Sequence, residues 1–313
     1  MTPGQTDLFA NLSALRSALA STSTLKTILD DSWFEAVEQA IRRSPSLSTV
    51  PADPSGFLYD FCHPFRGADW FEEDQQFAFD GRLDEVGEDA KSELRFEGVD
   101  PLRTVLPLLE SRLQAFETFS VRPDKVRIKL AELQAARSSP SFKNHLFELS
   151  VLGDLALKGV LIDIEEAATS VDGVINLDDR NILVEATNTV QQVIPDFSGV
   201  FSTDPTVEFE QVIKKVHKKV AEGRQLARAN EKPTLLFLAR TGLGAGRKSA
   251  QIALKECFAR SDFSALSGVV LADSWKLYRT WWHPSIKKPD VPLTDLERES
   301  LASFYGGKKR PAV

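Results

Sequence analysis

The chain has 313 residues, of which 42% are hydrophobic and 27% charged, and its formal net charge is −7, which fits one large globular domain or two ordinary ones. It contains no run of about 18 apolar residues, and its N-terminus lacks a basic stretch followed by a long apolar one, so the sequence predicts neither a membrane span nor a secretory signal. Two cysteines are too few for a disulfide framework or a zinc cluster, and we expect a cytoplasmic protein.

Residues 1–137 are predicted to form a helical, acidic N-terminal region. Apolar residues at helical spacing predict two helices from Leu8 to Arg43. The first has a stripe that includes Leu12, Leu15 and Leu19, and the second lies around Trp33. Two further helices are predicted, at 102–119 and 123–137.

The segment between these two sets of helices is strongly acidic. From Asp60 to Asp100 the chain has thirteen acidic and four basic residues. Two interpretations stay open: the segment lies against a basic surface elsewhere in the chain, or it is a solvated acidic surface that keeps the protein soluble.

Residues 138–290 are predicted to form an α/β core that begins with a helix carrying a carboxylate on its apolar side. At about 100° per residue, Glu148 falls inside the apolar arc rather than opposite it, and a carboxylate there needs a charged or hydrogen-bonding partner. The arc consists of Phe142, Leu146, Leu149, Leu152 and Ala156.

Three strands are predicted after this helix, at 160–166, at 171–177 and at 182–187, and the second and third carry the candidate site carboxylates. Asp172 belongs to the second strand and Glu185 to the third. Neighbouring strands lie about 4.8 Å apart, so two carboxylates on one face of a hairpin can share a divalent cation.

In this order of elements, the three carboxylates resemble the PD-(D/E)XK nuclease superfamily, where a helical Glu precedes an Asp at a strand start and a Glu-x-Lys in the next strand. Glu148, Asp172 and Glu185 match, but Thr187 stands where the family has lysine. The resemblance implies an αβββαβ core and hydrolysis of nucleic acid, with DNA as the expected substrate. It further implies that Asp172 and Glu185 bind Mg²⁺ or Mn²⁺ with the Ala186 carbonyl, and that Glu148 binds a second ion or holds a metal-bound water.

A basic helix is predicted next, from about Thr206 to Ala229, followed by buried strands at 233–240 and 266–274. The resemblance covers Ser141 to about Pro284. Because Thr187 carries no charge, another lysine would have to assist the attacking water, and Lys219 is favoured over Lys218 because it borders the apolar stripe of the basic helix. The alternative for this lysine cluster is a solvated helix face.

Two other functions compete with the nuclease. One is a module of the same fold that binds nucleic acid without cutting it, which Thr187 favours. The other is a nucleotide binder of the P-loop type, suggested by TGLGAGRKSA at 241–250 and by Asp273, but Arg247 stands where the P-loop has glycine.

The end of the chain offers one more motif. The aromatic stretch from Tyr278 to Pro284 suggests either base stacking or, as we favour, burial against the last strand. Residues 291–313 are assigned to a C-terminal tail.

Overall fold

The computed structural model describes residues 3–43, 101–137, 139, 141–166, 171–190, 210, 213–218, 221, 232–241, 254–259, 263–272, 280–283 and 289–305. The chain divides into two compact units, Met1–Gly153 and Asp154–Val313. The boundary falls inside one helix.

The first unit is helical in its described residues. Its helices are α1 (Pro3–Leu19), α2 (Thr24–Ile28), α3 (Asp31–Arg43), α4 (Pro101–Glu117), α5 (Pro123–Ala136) and the first part of α6 (Phe142–Leu157). Their apolar stripes are buried as predicted, including Leu12, Leu15 and Leu19 of α1. The predicted bounds of α4 and α5 agree with the structure to within two residues, whereas the region predicted as two helices up to Arg43 forms three.

Helix α2 is capped by a residue from a different helix. Glu110 of α4 accepts hydrogen bonds from the backbone N–H groups of Ser23, Thr24 and Leu25 at 2.7, 3.0 and 2.9 Å. The Ser23 side chain makes no capping bond of its own. The first N–H groups of a helix have no partner within the helix, so the Glu110 carboxylate satisfies the start of α2.

Helices α4 and α6 approach each other closely at Gly153. A Cβ atom at this position would lie 2.6 Å from the carbonyl carbon of Arg112 and still closer to its oxygen. Any residue larger than glycine would force the two helices apart.

The second unit is built on a mixed six-stranded sheet. The strands are β1 (Leu161–Glu166), β2 (Val171–Leu177), β3 (Arg180–Val190), β4 (Thr234–Thr241), β5 (Gly268–Ala272) and β6 (Thr280–His283), and they lie in that order across the sheet. Strands β1, β2 and β3 form an antiparallel meander, β4 and β5 run parallel to β3, and β6 is antiparallel to β5. The prediction of a mixed α/β fold is confirmed.

Strands β2 and β3 are joined by a two-residue turn. Its central residues, Asp178 and Asp179, both have positive φ values, 51° and 58°. Such turns match the right-handed twist of the strands, and Asp tolerates the left-handed conformation better than most residues. The turn therefore fixes the register of the hairpin.

Short helical segments cover one face of this sheet: α7 (residues 213–218) and α8 (residues 254–259). Both contribute to one buried apolar cluster with strands β4 and β5, which includes Ile213, Val216, Leu236, Leu238, Leu254, Cys257, Val269 and Leu271. This cluster is the core of the second unit on that side of the sheet.

A further helix, α9 (Asp295–Tyr305), lies within the region assigned to the C-terminal tail. Its last residue, Tyr305, meets Phe237 of β4 edge to face, with ring centroids 5.4 Å apart, and donates a hydrogen bond to Asp154 at 3.2 Å. This helix was not predicted from the sequence. Within the described residues, no helix is long and apolar enough to cross a membrane.

Candidate functional site

The hairpin of β2 and β3 brings two of the predicted site residues side by side. Gly173 pairs with Val184, and the regular register of the hairpin places Asp172 opposite Glu185 at the next step. Directly opposite residues of an antiparallel pair point to the same face, with Cβ atoms about 5 Å apart. The two carboxylates therefore share one face of the sheet.

A hydrogen bond holds the first of these carboxylates in place. Asp172 Oδ2 accepts a bond of 2.8 Å from the backbone N–H of Ala186, the residue after Glu185. Asp172 is half-buried, whereas Glu185 is only 4% exposed. Burial of a carboxylate is costly, so the surroundings of Glu185 must supply a compensating charge or hydrogen bonds.

The shared face is the one that α7 and α8 cover. Glu185 pairs with Leu236 and Thr187 with Leu238 in the parallel ladder between β3 and β4, and both leucines belong to the apolar cluster under α7. Thr187 is half-buried and lies two residues from Glu185, on the same side. A lysine at position 187 would thus have projected from the same face as the two carboxylates.

Glu148 lies in the first unit, where it has a cationic partner. Lys129 of α5 forms an ion pair with it, with the side chains 8% and 18% exposed. The expectation that a carboxylate on the apolar arc of α6 requires a partner is confirmed, but the partner was not predicted. The sequence did indicate that Lys129 is buried, because it lies at helical spacing with three apolar residues of α5. These residues, Val126, Leu133 and Ala136, are buried.

The lysines of the basic helix are only partly described. Lys218 is exposed and lies on the side of α7 opposite to the buried Ile213 and Val216. Lys219 lies outside the described residues, so its predicted role stays a prediction.

Several other predicted features also fall outside the described part of the chain. They are the acidic segment 60–100, the glycine-rich loop from residue 242 onward with Arg247, and Asp273. The aromatic stretch does form a strand, β6, whose residues Trp281 and Trp282 pair with Leu271 and Val270 of β5.

The hairpin offers two carboxylates on one face of the sheet. Among the described residues, no group of three or more His, Cys, Asp or Glu side chains could hold a metal ion. Mg²⁺ in proteins is often bound through one or two carboxylates, while water and substrate phosphates complete its shell. Asp172 and Glu185 together provide the two carboxylates that such a site uses.

No family model, curated protein or solved structure matches this chain.

Proposed function

We propose that the protein is a metal-dependent nuclease that hydrolyses phosphodiester bonds of nucleic acid, with DNA as its substrate. One observation carries the proposal: Gly173 pairs with Val184, and the next step of that register sets Asp172 opposite Glu185, on one face of the sheet. The sequence resemblance assigns metal binding to these two residues.

The order of elements in and before the second unit supports the same proposal. A helix, α6, precedes the antiparallel meander β1–β2–β3, and helical residues 213–218 precede the parallel strand β4. This order agrees with the αβββαβ core that the resemblance implies. In this proposal the carboxylates lie on the third and second strands of that core.

Asp172, Glu185 and the carbonyl of Ala186 would hold a divalent cation, Mg²⁺ or Mn²⁺. A divalent cation there would supply Lewis-acid stabilisation of the phosphate charge. The hydrogen bond from the Ala186 N–H orients Asp172 toward β3, and the burial of Glu185 keeps competing water away from that carboxylate.

For Glu148, a role in binding a second ion or holding a metal-bound water is proposed from the sequence resemblance alone. Its ion pair with Lys129 keeps its charge compensated within the first unit. The positive charge that Thr187 lacks is assigned to Lys219, since Lys218 is exposed on the outer side of α7.

A second candidate function is a binding module of the same fold that does not cut. Thr187 favours it, because a hydroxyl on the carboxylate-bearing face carries no positive charge to offset the negative charge that develops on the phosphate. Such a module would bind nucleic acid and show no turnover.

A single-turnover cleavage assay distinguishes the two candidates. Duplex DNA, single-stranded DNA and RNA are incubated with excess protein and Mg²⁺ or Mn²⁺, for the wild type, Asp172→Asn, Glu185→Gln and the control Asp178→Asn in the hairpin turn. A nuclease predicts cleavage that falls at least about 10²-fold in the first two variants and is unchanged in the control. Cleavage that survives in both site variants would contradict the proposal, and binding without cleavage by the wild type would favour the second candidate.

A further inference from the structure

The outer side of α7 is a basic surface in an acidic protein. Lys214, Lys215 and Lys218 are exposed on it, whereas Ile213 and Val216 are buried on the opposite side. At 100° per residue the three lysines fall within an arc of about 100°, so they form one continuous face. The whole chain carries a net charge of −7, so this positively charged face is opposite in sign to the protein as a whole.

Exposed lysines are concentrated here within the second unit. In its described residues four lysines are exposed, three of them on α7 and the fourth, Lys255, on α8. Residues 213–218 contain no acidic residue. Glu210, one turn earlier, pairs with Lys214 at 2.6 Å. A surface ion pair of this kind is weak, so it competes little with a polyanion for Lys214.

We infer that this face of α7, made of Lys214, Lys215 and Lys218, binds the phosphate backbone of nucleic acid. The inference rests on the proposed function for the identity of the polyanion, and it adds the surface that holds the substrate. Lys215 and Lys218 are separated by about 4.5 Å along the helix axis, and each DNA strand carries one phosphate for about every 3.4 Å of the duplex axis, so flexible lysine stems can reach neighbouring phosphates.

The chemistry of the face specifies backbone contacts rather than base reading. Lysine is a compact point charge on a flexible stem, which suits a phosphate oxygen, and it lacks the planar fork of arginine. Contacts of this type fix the position of the nucleic acid and are independent of its sequence. Binding through α7 is therefore expected to weaken steeply with salt.

The experiment measures binding by fluorescence anisotropy on a labelled 20-base-pair duplex over a range of salt concentrations. The full chain carries Glu185→Gln throughout so that the duplex stays intact, and the added substitutions are Lys215→Gln, Lys218→Gln, the pair together, and Lys255→Gln as a matched control. Each α7 substitution is expected to weaken binding several-fold and to reduce the slope of log K against log salt by about one, and the pair by about two. Lys255→Gln is expected to leave both quantities unchanged.

Three results would overturn the inference: no binding by the parent protein, unchanged binding in the Lys215→Gln and Lys218→Gln variants, or an equal loss in Lys255→Gln. Thermal melts of every variant separate loss of binding from loss of folding. Wild-type cleavage that depends on Asp172 would still support the proposed function in each case, so failure of the surface and failure of the nuclease proposal are distinguishable.

Discussion

Asp172 of β2 accepts a hydrogen bond of 2.8 Å from the backbone N–H of Ala186 on β3. The bond joins this carboxylate to the strand that carries Glu185, so both acidic side chains stand on strands rather than on loops. Sites on strands are held more firmly than sites on loops, as a binding constellation requires.

Replacing Asp172 is expected to affect stability according to whether the hydrogen-bond acceptor is kept. Asp172→Ala leaves the half-buried Ala186 N–H without this partner and should lower the free energy of unfolding by about 1–3 kcal/mol. Asp172→Asn retains an acceptor oxygen and should cost less. Urea denaturation of both variants in chelator measures the difference, and equal stability of the two would show that the bond contributes nothing.

Glu110 is expected to make the first unit sensitive to acid. Burial raises the pKa of this carboxyl, but the hydrogen bonds from Leu25, Ser23 and Thr24 outweigh it and hold the pKa below its ordinary value of 4.5. A group whose pKa is lower in the folded state stabilises the fold above its unfolded pKa, and loses that contribution as the pH falls through the folded value.

Glu110→Gln should therefore cost about 2 kcal/mol at pH 7, and the difference from wild type should shrink as the pH falls below about 4.5. Unfolding free energies measured between pH 3 and pH 7 test this. Glu132→Gln, at an exposed position of α5, is the control. A difference that stays constant across this range would contradict the role of the carboxylate charge in capping α2.

The ion pair of Lys129 and Glu148 predicts a non-additive pair of substitutions. Lys129→Met removes the cation beside a carboxylate that is only 18% exposed, and should destabilise the protein by about 3 kcal/mol. Adding Glu148→Met replaces both charges with apolar groups and should recover most of that loss. A double-mutant cycle by urea denaturation measures the coupling, and additive effects would contradict a direct interaction.

Much of the fold could be predicted from the spacing of apolar residues. Helices α4, α5 and α6 and strands β1 to β5 stand where periodicity placed them, because each buries one stripe or one run of apolar side chains. Helix α9 was missed since its residues are mostly polar, although Thr294 and Glu297 form a reciprocal capping box that the sequence displays.

Only the part of the candidate site that lies on one hairpin could be predicted from the sequence. The register that sets Asp172 opposite Glu185 is fixed by a two-residue turn, and a hairpin is a local structure. Lys129 could not be assigned to Glu148 in advance, since the contact joins two helices whose packing depends on side chains from several elements. Apolar spacing predicts which face is buried, but not which charge it meets.

The most direct test of the metal-site proposal is a titration of Mn²⁺ into the protein by isothermal calorimetry, without nucleic acid. The proposal predicts a saturable site in the wild type whose affinity falls at least about tenfold in Asp172→Asn and in Glu185→Gln, and is unchanged in Asp178→Asn, which removes an exposed carboxylate from the same hairpin. No saturable binding by the wild type, or equal affinity in all four proteins, would contradict a metal site on strands β2 and β3.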